Sequence, residues 1–337
     1  MNSNRVVLRW HKCRSIQVGI AILLWFAGSA RAQECYSGSE IDAVTSQAVE
    51  AAARQYFEMS ARGDVAGLKA NAVPELAASF GSIERAVVAN KEFLAQGQAK
   101  QTQLFVLDAS NSKTTWQRAE FYCGIYNSPD RVGFAIPNLP PGRYAVTITK
   151  VTGKDPITLT TILADAGKNV WKLAGYYVRR NALGEHDGQW FLTKAREYKE
   201  KKQLLNAWFY YLTAWDLIAP VDFMSTPQLD KLTEEIQASH PVDMPVAGAT
   251  LVLAGGKSVK LMEVAAIAVG TDFDLRVHYE STDVTNPALA SQENTAMMKA
   301  LLAKYPELRD GFAALIARAT DSGGHDYGTL TPMKDVK

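Results

Sequence analysis

The segment Arg143-Tyr144-Ala145-Val146-Thr147-Ile148-Thr149-Lys150-Val151 decides the architecture. It is rich in aromatic and branched residues and reads as a strand. Thr102–Leu107, Thr115–Tyr126 and Arg131–Ile136 share that composition, with turn signals at Asn127-Ser128-Pro129-Asp130 and Pro140-Pro141-Gly142 between them. Two more strands are expected at Ile157–Ala164 and Val170–Arg179, joined by Asp165-Ala166-Gly167-Lys168-Asn169. Helices precede the strands. Val44, Ala48, Ala51, Ala52, Gln55-Tyr56 and Met59 recur at helical spacing over 41–62, and Gly63-Asp64 stops that run. Further helical stretches are expected around Val65–Ala72 and Ser82–Gln96, with Pro74 between them. Helices first and an antiparallel, curved sheet after them make an α+β chain.

Two features give residues 41–180 a family likeness. The first helix ends in Arg62-Gly63-Asp64-Val65-Ala66-Gly67-Leu68, and the last strand is Trp171-Lys172-Leu173-Ala174-Gly175-Tyr176-Tyr177-Val178. This order resembles the NTF2-like cone fold. The resemblance implies a concave sheet face lining a pocket, with one of the two tyrosines pointing inward. Alternation puts Tyr177 and Arg179 on one face and Tyr176 and Val178 on the other. Trp171 with Tyr176 or Tyr177 would then bind a small apolar ligand, although sheet-to-helix packing uses the same residue types.

After residue 183 the period changes. Trp190, Ala195, Tyr198, Ala207, Tyr211 and Ala214 fall where a tetratricopeptide repeat places its small and large residues, so 188–220 resembles one such helical hairpin. One repeat cannot bury its own apolar face, so the hairpin must pack on neighbours. Trp208, Tyr211, Leu212, Trp215 and Ile218 are expected to form one apolar stripe, ordinarily core, alternatively a groove for a partner. Thr226 and Pro227 start a third helix. Beyond the breaker His240-Pro241-Val242-Asp243-Met244-Pro245, strands at Ala249–Leu253, Ser258–Val269 and Phe273–Tyr279 and a helix at Asn286–Lys304 define a small C-terminal α+β module. Phe312–Thr320 fits helix or strand. The expected division is 1–32, 33–182, 183–240 and 241–337.

The chain has 337 residues, 36 Lys+Arg against 35 Asp+Glu, and is 47% hydrophobic and 21% charged, which excludes disordered and low-complexity classes. Residues 1–32 read as a secretory signal: Arg5, Arg9, Lys12 and Arg14, then an apolar run from Ile16 to Ala30, then cleavage between Ala32 and Gln33. An uncleaved anchor is the alternative, but the run is shorter than the roughly 20 residues a bilayer core requires. The leader carries five cations (Arg5, Arg9, Lys12, Arg14, Arg31) and no acid, so the formal +1 of the whole chain becomes −4 once it is removed. That balance disfavours nucleic acid as a partner. Cys13 leaves with the signal. The remaining pair, Cys35 and Cys123, is expected to bridge in an oxidising compartment, two separate thiols being the alternative.

Catalytic residues are scarce. Acid–base enzymes with the cone fold pair His with Asp, or Asp with Tyr, yet no histidine occurs between Gln33 and Glu185. The aspartates there fit caps and turns. His186, His240, His278 and His325 are dispersed, without the converging ligands of a zinc site, so neither metal nor cofactor is expected. Leu253-Ala254-Gly255-Gly256-Lys257-Ser258 lacks the first glycine of a phosphate loop and reads as a hairpin turn. The preferred expectation is a non-enzymatic envelope protein, periplasmic or secreted, that binds a protein or a small apolar ligand through Trp171, Tyr176, Tyr177, Trp208, Tyr211 or Trp215. The alternative is a periplasmic hydrolase or lyase using His278, Glu280, His325 or Asp326. An envelope assembly factor without a ligand is the third possibility.

Overall fold

A computed structural model describes residues 34–125 and 128–337. The expected leader and its Ala32-Gln33 cleavage point lie outside the described residues, as does Tyr126. The chain starts with β1 (Glu34–Ser37) and four helices, α1 (Ala43–Arg62), α2 (Val65–Ala70), α3 (Pro74–Ala78) and α4 (Gly81–Gln96). Six strands follow: β2 (Gln98–Asp108), β3 (Trp116–Cys123), β4 (Val132–Leu139), β5 (Arg143–Thr152), β6 (Ile157–Asp165) and β7 (Trp171–Arg180). A small ribbon, β8 (Ala182–Leu183) and β9 (His186–Asp187), leads to α5 (Gly188–Glu200), α6 (Leu204–Ile218), β10 (Met224–Ser225) and α7 (Pro227–Ala238). The C-terminal part comprises β11 (Thr250–Val252), β12 (Ser258–Val269), β13 (Asp272–Glu280), α8 (Pro287–Lys304), α9 (Leu308–Gly311), β14 (Ala314–Thr320) and β15 (Asp326–Pro332). The fold is mixed α+β, with open sheets among the described residues.

Helix starts follow from capping chemistry. The side chains of Asp42, Asp64, Asp187, Thr226 and Asn286 each accept a backbone N–H from the first turn of α1, α2, α5, α7 and α8. Gly63 closes α1 at φ 69°, a left-handed conformation that a Cβ would oppose, so Arg62-Gly63-Asp64 is a helix stop followed by a cap.

The N-terminal strands do not form the single sheet expected of them. Five make one antiparallel sheet in the order β1-β2-β5-β6-β7, while β3 and β4 pair with each other and, through β4, with β10 as a separate three-stranded sheet. Packing accounts for the split. Ala145, Val151, Leu159, Leu163 and Leu173 face α1 and α4, whereas Phe105, Val146, Ile148 and Ile162 face Phe121, Phe134 and Ile136 of β3 and β4. A sheet buried on both faces needs both covers, and the β3–β4 hairpin supplies the second.

Cys35 of β1 is bonded to Cys123 at the end of β3, with 5.1 Å between their Cα atoms and a sequence separation of 88. The bridge pins β1 onto β2, where Ser37 to Glu34 pair with Phe105 to Asp108. At Gly38, φ 55°, the chain turns away. Residues 98–104 of β2 therefore pair only with β5 among the described residues.

α5 and α6 lie against each other, with Gly188 so close to Ala214, Leu217 and Ile218 that a side chain there would displace them. α6 also contacts β7, β12 and α9. The last sheet runs β11-β12-β13-β14-β15, antiparallel except for β13–β14, which is parallel and joined through α8. The ambiguous stretch is settled as strand: Leu315, Ala317 and Ala319 are buried against α8 and its neighbours. Gly255 and Gly256, both at positive φ, form the expected turn between β11 and β12.

Candidate functional site

The two cavities with defined linings lie side by side along the polar face of α1. The larger, about 500 Å³, opens between Glu50, Ala53, Arg54, Phe57 and Glu58 of α1 and Ala99, Gln101 and Thr149 of the sheet. The smaller, about 390 Å³, continues past Gln47, Ala51 and Gln55. Helical periodicity explains the wall. Val49, Ala53, Tyr56 and Met59 turn into the core, and Tyr56 Oη donates to Trp171 O at 2.9 Å, fixing α1 against β7. Glu50, Arg54 and Glu58, at i, i+4 and i+8, are thereby left in one row on the opposite edge.

The groove is charged but incompletely paired. Glu50 accepts from Ser46 Oγ at 3.0 Å, and Glu58 lies 3.9 Å from Arg62. Arg54 has no ion pair among the described residues. The floor is polar: Thr149 lines it, and one pair further along, the hydroxyls of Thr147 and Thr161 bond to each other at 2.7 Å beneath the helices. A β-bulge at Thr102, whose Oγ1 donates to Ile148 O, brings Ala99, Gln101 and Leu104 to the helix side of β2. An open, charged cleft with one large apolar wall residue, Phe57, suits an elongated polar ligand better than a small apolar one.

The aromatic residues expected to bind are dispersed. Trp171 and Tyr176 are buried in the core between sheet and helices. Burial pushes the Tyr176 phenol up to about 12, and its hydroxyl, beside Ser60, makes no well-formed hydrogen bond among the described residues. Tyr211 is buried between α5, α6 and α7, with its phenol also raised to about 12 by burial and by Glu235. Trp208 packs edge-on against His240. Trp215 is covered by the Arg179 guanidinium, 5.4 Å from its ring, while Arg179 pairs with Asp222. Tyr177, the most exposed of the six at 39%, meets Phe223 edge-on at 5.4 Å. The expected stripe on α6 is not one surface, because α6 is apolar almost all round and its aromatics enter different cores.

Of the candidate acid–base residues, His278 Nε2 lies 2.7 Å from Thr320 Oγ1 on the open face of the last sheet, and Arg318 pairs with Asp326 beside it. Burial, reinforced by Arg318, holds the imidazole below its usual pKa. Glu280 pairs with Lys260, and His325 instead engages Asp321 at 3.1 Å. Neither cavity with a defined lining includes these residues.

Sequence reasoning named Ala51 and Gln55 for their helical spacing alone and assigned none of the groove residues to a site. Their only trace is the Glu50, Arg54, Glu58 spacing, which a solvated helix face also produces. Scans against family models, curated proteins and solved structures gave no match. Among the described residues no helix is long and apolar enough to cross a membrane, and the Cys35–Cys123 bridge fits a secreted protein.

Proposed function

We propose that this chain is an exported, non-enzymatic binding protein of the cell envelope, with a cone-like N-terminal domain that captures its partner along α1. The observation that carries the reading is the open groove of about 500 Å³ in which the Arg54 guanidinium stands unpaired beside Phe57. A guanidinium held at a cleft without an ion-pair partner among the described residues is a ready donor to a carboxylate. The cone resemblance supports the placement, since that fold also sets its pocket between helices and sheet. The helical hairpin, read as a single tetratricopeptide-like unit, then serves as the joint to the C-terminal module.

The test uses the full mature chain immobilised against envelope extract. Arg54→Glu reverses the free charge, and Ala99→Trp fills the groove from an exposed position without removing buried contacts. A species retained by the wild type is expected to be lost with either variant and kept by Val44→Ser, on an exposed part of the same helix. Equal retention by all four proteins would refute the groove.

A second reading, hydrolysis at the C-terminal sheet, is favoured by one observation, the 2.7 Å approach of His278 to the Thr320 hydroxyl. A neutral imidazole in that position can take a hydroxyl proton. The lowered pKa also sets a pH dependence: the unfolded chain binds the proton more tightly, so the His278 contribution is present above about pH 6.5 and lost as pH falls below it. His278→Asn is expected to flatten urea stability between pH 7.5 and 5. Only under the second reading does it also abolish ester hydrolysis.

A further inference from the structure

We infer that the open edge of β2 receives an extended acidic peptide, which adds to the sheet as a strand alongside β2 residues 98–104. This rests on the α1 groove being the binding site and specifies what enters it. Main-chain geometry is the first ground. Residues 105–108 of β2 already have an edge partner in β1, which stops at Ser37, while the outer edge of 98–104 has no strand partner among the described residues. Such an edge is complemented by another extended backbone. The groove lies beside this edge, so alternate side chains of an added strand would pass toward Arg54 and Phe57.

Charge is the second ground and selects the occupant. Lys100 of β2 stands directly opposite Lys150 of β5 on the face away from α1, and both are exposed with no ion-pair partner among the described residues. Like charges placed directly opposite destabilise a sheet. Guarding an edge against aggregation requires a lysine on the edge strand, which Lys100 provides; it does not require the second lysine on the interior strand. A strand laid beside β2 sets its own outward side chains next to Lys100, and a carboxylate there relieves the repulsion. Its helix-side residues meet the unpaired Arg54. Arg54 stands there between Glu50 and Glu58, so it is the outward face, at Lys100, that selects acidic residues.

The probes are a seven-residue capped peptide alternating threonine and glutamate, the same peptide with lysine for glutamate, and the glutamate peptide N-methylated at alternate backbone nitrogens. Binding to the mature, disulfide-bonded chain is followed by fluorescence anisotropy and amide hydrogen exchange. The glutamate peptide is expected to bind and to slow exchange at 98–104. The N-methylated form should fail, and Lys100→Glu should weaken binding about fivefold, the size of one cross-strand charge contact, and transfer preference to the lysine peptide. Equal binding of the N-methylated peptide, unchanged exchange at 98–104, or indifference to peptide charge would each overturn strand addition. So would a dimer in sedimentation whose 98–104 amides are already protected, since a second copy then occupies the edge. If Arg54→Glu and Ala99→Trp abolish capture of an envelope partner while the peptides fail, the groove stands and only strand addition falls.

Discussion

Serine at both Cys35 and Cys123 is expected to lower the stability of the chain by about 4.6 kcal/mol, the conformational freedom that the unfolded chain regains when a loop closed over a separation of 88 is opened. Native contacts give little compensation. β1 is four residues long, none of them fully buried, and it is held by its pairing with β2 and by the bridge. Without the bridge, β1 should fray and amides 105–108 of β2 should exchange faster. Urea denaturation of the double variant, beside the wild type with and without reductant, measures the effect. A loss below about 1 kcal/mol would show that the unfolded state is already constrained without the bridge.

Phe191→Ala should be comparably damaging, at about 3–5 kcal/mol. Phe191 is 1% exposed and lies where three elements meet: its ring is 5.5 Å from Tyr210 of α6 and 5.0 Å from Phe273 of β13. Phe273 in turn stacks on Phe312, so the cavity would open at the seam between hairpin and C-terminal sheet. Aromatic geometry adds to the area term there. The expected signature is a lower urea midpoint with peptide or partner binding per folded molecule unchanged, because the groove on α1 lies outside this cluster. A loss of binding in proportion to stability would tie the groove to the seam.

Where local chemistry suffices, the sequence is legible. Thr226-Pro227 and Asn286 announce helix starts that the structure reproduces, and every predicted strand from Thr102 to Arg179 exists within a few residues. What escaped depends on distant partners. β1 is too short to show a period and is a strand because β2 and Cys123 hold it. β15 carries Gly328 and exposed polar residues, and takes its shape from the edge of β14. Nothing in the composition of β3 and β4 says that they leave the main sheet. For the site, Trp171 and Tyr176 looked like ligand contacts because aromatic residues on a strand serve packing and binding alike. Arg54 gave no signal, because only the approach of Gln101 and Thr149 from the sheet turns that helix face into a wall.

The joint between α6 and the segment 307–311 bears on how the molecule is assembled. Asn206 Nδ2 donates to Glu307 O, Tyr210 Oη to Gly311 O and Tyr198 Oη to Asp310 O, while the Glu307 carboxylate accepts the Leu205 N–H at the start of α6. A Cβ on Gly311 would fall on the Asn206 carboxamide, so the fit is close. During synthesis the hairpin emerges long before the residues that complete its first turn. The start of α6 therefore gains these partners only once residues 307–311 have been made.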